Sequence, residues 1–196
     1  MNHKERLLEG AKRCLYEKGW ARTSARDIVA ASGTNLGSIG YHFGSKDALL
    51  TAAMMDGFEE FGADLEEILS AGTDGSPIDR LEAIWTKLIE SFETHRHVWM
   101  ASFDAFVQAE HSPEVRKILA AGYEAARPNL ASRLFGVNPS EVDERDARTV
   151  GSFLIALQAG LAAQWLLDPE RSPSGRDVAD ALRRISAFLD ESRTAD

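Results

Sequence analysis

From Leu7 to Leu189 the apolar residues of this chain recur three and four positions apart, the spacing of a buried helical stripe. No segment shows the two-residue alternation of a strand. Neither β-branched runs nor Asn-Gly turns mark a hairpin. The pattern predicts an all-α protein of about nine helices.

Local stop and start signals divide that pattern. Leu7, Leu8, Ala11, Cys14 and Leu15 form the first stripe, closed by Lys18-Gly19, a cation followed by a helix-ending glycine. Ser24 with Asp27 three residues on is a capping box, opening a short helix that carries Ile28 and Val29 and stops at Ser32-Gly33. A third short helix is expected from about Asn35 to His42. Ser45 then caps a long one with Leu49, Leu50, Ala53, Met54, Phe58, Phe61, Leu65 and Ile68 on its apolar side. A loop is expected at 71–75, after which Ser76-Pro77 restarts a helix bearing Leu81, Ile84, Trp85, Leu88 and Phe92. Another helix follows from about Val98 to Ala109, and one begins at Ser112-Pro113-Glu114, which Pro128 should kink or break. Asn138-Pro139-Ser140-Glu141 is expected to open a helix reaching Leu167. Ser174 with Asp177 caps the last, which runs to about Ser192.

At 196 residues and 44% hydrophobic content the chain can bury a sizeable core, and its composition excludes disordered and collagen-like classes. The run 151–167 is too short and, with Ser152, Gln158 and Gln164, too polar to be expected in a membrane. The charged N-terminus is no signal peptide, and the single cysteine, Cys14, fits a reducing compartment. A cytoplasmic protein is expected. All six prolines lie at or after Pro77, whereas the short helices cluster before Lys46. This suggests two domains, 1–47 and 48–196, joined by a continuous helix.

Charge is divided the same way. The whole chain carries a net −9, yet residues 1–50 hold eight basic and five acidic side chains. A basic head on an acidic body suits a protein that brings one end to a polyanion. Within that head, Thr23–Leu50 places two short helices around a tight turn at Ser32-Gly33-Thr34, the helix-turn-helix arrangement whose second helix enters the major groove. That helix has a polar face of Asn35, Ser38, Tyr41 and His42 and an apolar one of Leu36 or Ile39 with Phe43.

The residues Thr23 to Leu49 align without a gap to the pattern of the tetracycline-repressor (TetR) family of transcriptional regulators, which this segment resembles. The resemblance implies a ligand-responsive DNA-binding regulator, a repressor above all, acting on a near-palindromic double-stranded DNA operator as a homodimer. It places Ser24 and Arg26 at the start of the helix that crosses the backbone. Asn35, Leu36, Gly37 and Ser38 then lie at the exposed start of the recognition helix, and His42 and Lys46 at phosphates. Gly40 stands where the family has a phosphate-contacting tyrosine, a contact that Tyr41 could take over. The family also pairs its last two helices with their copies, which here puts Leu154, Leu157, Gly160, Leu161, Trp165, Leu182, Ile185 and Leu189 at a dimer interface. It encloses an effector, unidentified here, among middle helices that carry Trp85, Phe92, Trp99, Phe103, Phe106 and Tyr123. The remaining readings are a small-molecule-binding activator and a helical adaptor that binds protein rather than DNA.

No cofactor, metal or enzymatic motif is expected. His95 and His97 point to different helix faces, and neither a glycine-rich phosphate loop nor a nucleophile–base pair occurs.

Overall fold

A computed structural model describes residues 1–70 and 76–194. The loop expected at 71–75 and the side chain of Ile68 lie outside them. Among the described residues the structure is helical throughout: α1 (His3–Lys18), α2 (Ala25–Ser32), α3 (Leu36–Phe43), α4 (Lys46–Ser70), α5 (Pro77–Thr94), α6 (Arg96–His111), α7 (Pro113–Phe135), α8 (Glu144–Leu167) and α9 (Gly175–Thr194). A 3₁₀ turn, Pro139–Glu141, precedes α8.

The capping residues act as their spacing predicts. Ser24, Ser76 and Ser174 each accept a backbone N–H from an aspartate three residues on, and each aspartate accepts the serine N–H in return. Asn2 and Glu5 form a further box at α1. Hydrogen bonds from their serines hold the Asp79 and Asp177 carboxyls below the usual carboxylate range, and Asn138 does the same for Glu141. A carboxyl depressed in the folded state stabilises it above the unfolded value near 4, and that stabilisation is lost as pH falls through the depressed value. We therefore expect Tm to decline below about pH 4. Asp79→Asn/Asp177→Asn should start lower at neutral pH and decline less steeply, as read by circular dichroism melts; parallel curves would show that the caps do not titrate with folding.

Of the expected kink or break at Pro128, the break does not occur: α7 continues through it as one helix. Around the proline, Ala131 and Ser132 are buried and the Ser132 hydroxyl donates to the Asn129 carbonyl. Two sequence expectations need correction. The Asn138–Glu141 box closes only a 3₁₀ turn, and the helix proper begins at Glu144, where the Asp143 carboxylate accepts the Asp146 N–H at 2.8 Å. Helix α8 thus has 24 residues and is long and apolar enough to cross a membrane by length and composition, although 151–167 alone reads as too short.

The chain forms two compact units, Met1–Asp64 with His95–Leu119, and Leu65–Thr94 with Ala120–Asp196. The first is organised around Leu7, Ala11, Leu15, Ile28, Ile39, Leu49, Leu50 and Met54. Here α1 crosses α2 so closely that a Cβ on Gly10 would lie 2.8 Å from that of Ser32. Lys12, 4% exposed, is tied to α4: its Nζ lies 2.6 Å from Asp56, 2.8 Å from Glu60 and 2.8 Å from Glu9. Burial alone would push this ammonium down, but the hydrogen bonds to Asp56, Glu60 and Glu9 outweigh it and raise it above the ordinary lysine range. The oxygens of the three carboxylates, all within 4.8 Å of one another, have the spacing of a metal site, with the Lys12 ammonium among them.

In the second unit α5 packs on α8 and α9. A Cβ on Gly175 would stand 2.4 Å from the Thr86 nitrogen, and one on Gly151 2.4 Å from the Arg127 carbonyl oxygen. Gly151 ends a π turn, Ala147–Gly151, within α8.

Candidate nucleic-acid interface

The first unit presents α2, a turn and α3 in sequence. Gly33 ends α2 in the left-handed region (φ 63°), which a side chain would disfavour, and the Ser32 and Thr34 hydroxyls pair across the turn at 2.7 Å. The start of α2 is fixed from two sides. Lys18 pairs with Asp27, and the Lys46 Nζ donates to the Thr23 carbonyl at 3.2 Å. The Lys18 ammonium and then the Ser24 hydroxyl and N–H hold the Asp27 carboxyl well below the usual carboxylate range, so it stays ionised as a cap.

Helix α3 is held by Ile39, which is buried, and by Phe43 against the same core. This resolves the alternative of Leu36 or Ile39 in favour of Ile39: Leu36 is 53% exposed. Asn35 caps α3, its Oδ1 accepting the Ser38 N–H at 3.0 Å. Gly37 and Gly40 are exposed, and a Cβ on Gly40 would meet nothing within 4 Å. Tyr41, 85% exposed, is edge-on to His42. Arg26 and Ser24 are exposed at the start of α2, whereas Ser38, His42 and Lys46 are half-buried. The structure thus brings the nine expected DNA-contacting residues onto α2, α3 and the start of α4. Lys46 already serves one internal carbonyl and pairs with Asp47 at 3.2 Å.

The aromatic residues expected around an effector divide between the units. In the second, Trp85 lines an apolar pocket of about 20 Å³ with Leu81, Ile84, Leu88, Leu130 and Leu154. Arg133 and Gln158 supply its polar atoms, and Arg133 pairs with Glu66 at 2.7 Å. A more open groove of about 280 Å³ lies against Pro77, Phe153 and Leu182. Phe92 is buried edge-on to Trp165, and burial pushes the half-buried Tyr123 phenol up. In the first unit Trp99 packs against Phe61, and Phe103 against Phe106. Arg133 and Gln158 were not anticipated, because on an amphipathic helix each reads as a solvent-facing position.

Of the residues expected at a dimer interface, Leu154 and Leu161 are buried within one copy, Leu157, Trp165 and Leu182 are half-buried, and Gly160, Ile185 and Leu189 are exposed. Exposed Phe153, Leu167 and Phe188 on α8 and α9 add apolar surface that the sequence reading did not include.

Residues 7–53 match the family model of bacterial regulatory proteins, tetR family. Residues 77–190 match that of the BetI-type transcriptional repressor, C-terminal. The chain is similar to the HTH-type nicotine-responsive transcriptional repressor HdnoR of Paenarthrobacter nicotinovorans, with 21% identity over 97% of this chain and 95% of that one. It is 25% identical to the HTH-type transcriptional regulator BetI 2 of Chromohalobacter salexigens, over 96% of this chain and 87% of the relative. A TetR-family member from Streptomyces coelicolor A3 superposes with a TM-score of 0.70 at 25% identity, covering 94% of this chain and 98% of that structure.

Proposed function

The chain belongs to the tetR family of bacterial regulatory proteins, with a BetI-type C-terminal half, and from that premise we propose that it works as a cytoplasmic homodimer that reads a near-palindromic operator and is released by a small molecule. It is a helix-turn-helix transcriptional repressor rather than an enzyme. Residues 1–47 form the reading head and 48–196 the part that dimerises and takes the effector. The observation that carries the DNA reading is the outward face of α3, where exposed Gly37, Gly40 and Tyr41 lie opposite the buried Ile39. A helix with two glycines outward admits close approach of its backbone to base edges.

Few basic side chains face outward from one head, so a single copy would bind weakly. Two heads about 34 Å apart would meet successive major-groove faces. The exposed Phe153, Ile185, Phe188 and Leu189 supply apolar surface that a second copy would cover. The effector side is supported by the relative from Paenarthrobacter nicotinovorans, which is nicotine-responsive, whereas the space beside Trp85, at about 20 Å³, has room for little more than one water. A ligand that binds more tightly when the heads are misplaced for the operator lowers DNA affinity by the same factor, through linkage.

The test is enrichment from a random-sequence DNA pool at near-physiological salt, with the solution mass measured alongside. A two-fold symmetric consensus bound by a dimer is expected, and no enrichment by a confirmed dimer would refute the DNA-binding reading. On the enriched site, Lys46→Ala should weaken binding to all sequences alike and flatten the salt slope by about one unit. Ser38→Ala should instead change the preferred sequence. Uniform weakening by both would dismiss the division into phosphate and base contacts.

A further inference from the structure

We infer that Leu36 reads the 5-methyl group of a thymine, so that each operator half-site carries a thymine facing the start of α3; this rests on the DNA-binding reading above. Leu36 is the first residue of α3, and the N-terminal residues of a recognition helix are those that reach base edges. Its isobutyl group is 53% exposed. The helix does not need it for anchorage, because Ile39 and Phe43 make the core contact. Of the other side chains on α3, Ser38 is half-buried and Tyr41 stands edge-on to His42 further along the helix. The Asn35 Oδ1 is engaged by the Ser38 N–H. Gly37 and Gly40 have no side chain, and Leu36–Phe43 contains no Arg, Lys, Gln, Asp or Glu. Bidentate reading of guanine or adenine from within α3 is therefore not available.

Of the base edges in the major groove, thymine presents an apolar group, the C5 methyl. An isobutyl group pressed on any other edge would take a donor or acceptor out of water without pairing it. A Cβ on Gly37 would meet only the Asn35 side chain, at 3.2 Å. No bulk next to Leu36 therefore keeps the helix start away from the bases.

Once the pool enrichment has supplied a site, each of its thymines is replaced in turn by uracil, which keeps O4 and base pairing and removes only the methyl. At one thymine per half-site, uracil should weaken binding about fourfold, the worth of one buried methyl group, and about fifteenfold when both half-sites are changed. Leu36→Ala should bind the thymine and uracil duplexes alike, whereas Ser38→Ala should keep the difference. An enriched symmetric site that tolerates uracil everywhere, or a penalty that persists in Leu36→Ala, overturns the inference and leaves the DNA-binding reading standing. If no sequence is enriched, both fall together.

Discussion

Replacing Lys12 by methionine should lower stability by about 3 kcal/mol and Tm by roughly 10 °C. The variant keeps the aliphatic stem that runs through the α1–α4 contact and deletes only the charge. Left behind are three carboxylates whose oxygens lie within 4.8 Å of one another and which Lys12 balances at 2.6–2.8 Å. Removing one partner of a buried ionic group is more damaging than replacing the whole group, because the survivors repel and remain partly desolvated. The estimate takes the lower end of the usual range because Glu9, Asp56 and Glu60 retain contact with water. Adding Asp56→Asn to Lys12→Met should recover part of the loss. An unchanged Tm in the single variant would show that solvent already neutralises the cluster.

Gly10→Val is the second large effect, expected at about 3 kcal/mol, the upper part of the range for overpacking, with loss of DNA affinity on all sequences alike. A Cβ alone would stand 2.8 Å from the Ser32 Cβ, 3.0 Å from the Ser32 nitrogen and 3.1 Å from the Ile28 carbonyl oxygen. Two of those three atoms are backbone, so no side-chain rotation relieves the clash and α1 must move off the end of α2. Ser32 immediately precedes the Gly33 turn, so the displacement passes directly to α3. Gly10→Ala should be milder, and Ser32→Gly beside it should restore part of the Tm while the backbone contacts remain. Thermal melts and titration of an enriched duplex check both; a valine variant with parental Tm would dismiss the close crossing.

What could be read ahead of the structure was what depends on neighbours three or four residues apart. The Ser24–Asp27, Ser76–Asp79 and Ser174–Asp177 boxes and the Gly19 and Gly33 stops belong to that class, and each is found where the spacing puts it. Lys12 and Gly10 belong to the opposite class. A lysine between Ala11 and Arg13 reads as a solvated charge until Asp56 and Glu60, on another helix, are brought beside it. A glycine within a helix reads as a weakness until α2 is found against it. Helical period could not separate Leu36 from Ile39, since both lie near one side of a two-turn helix; burial separated them. On α8 and α9 the leucine stripe was legible, but which leucines belong to one copy's interior depends on α5, which lies far away in sequence.

The π turn at Ala147–Gly151 has a consequence for descent. Such a turn holds one residue more than the same stretch of α-helix, and each added residue rotates everything beyond it by about 100°. The stripe from Ser152 to Leu167 therefore keeps its facing only while the surplus residue is present, and Gly151 holds that residue's place by lying flat against the Arg127 carbonyl. A lineage that lost one position here would straighten the helix and turn Leu154 and Leu161 out of the interior in a single step. The length of this short segment is thus constrained together with the identity of Gly151, where a Cβ would stand 2.4 Å from the Arg127 carbonyl oxygen.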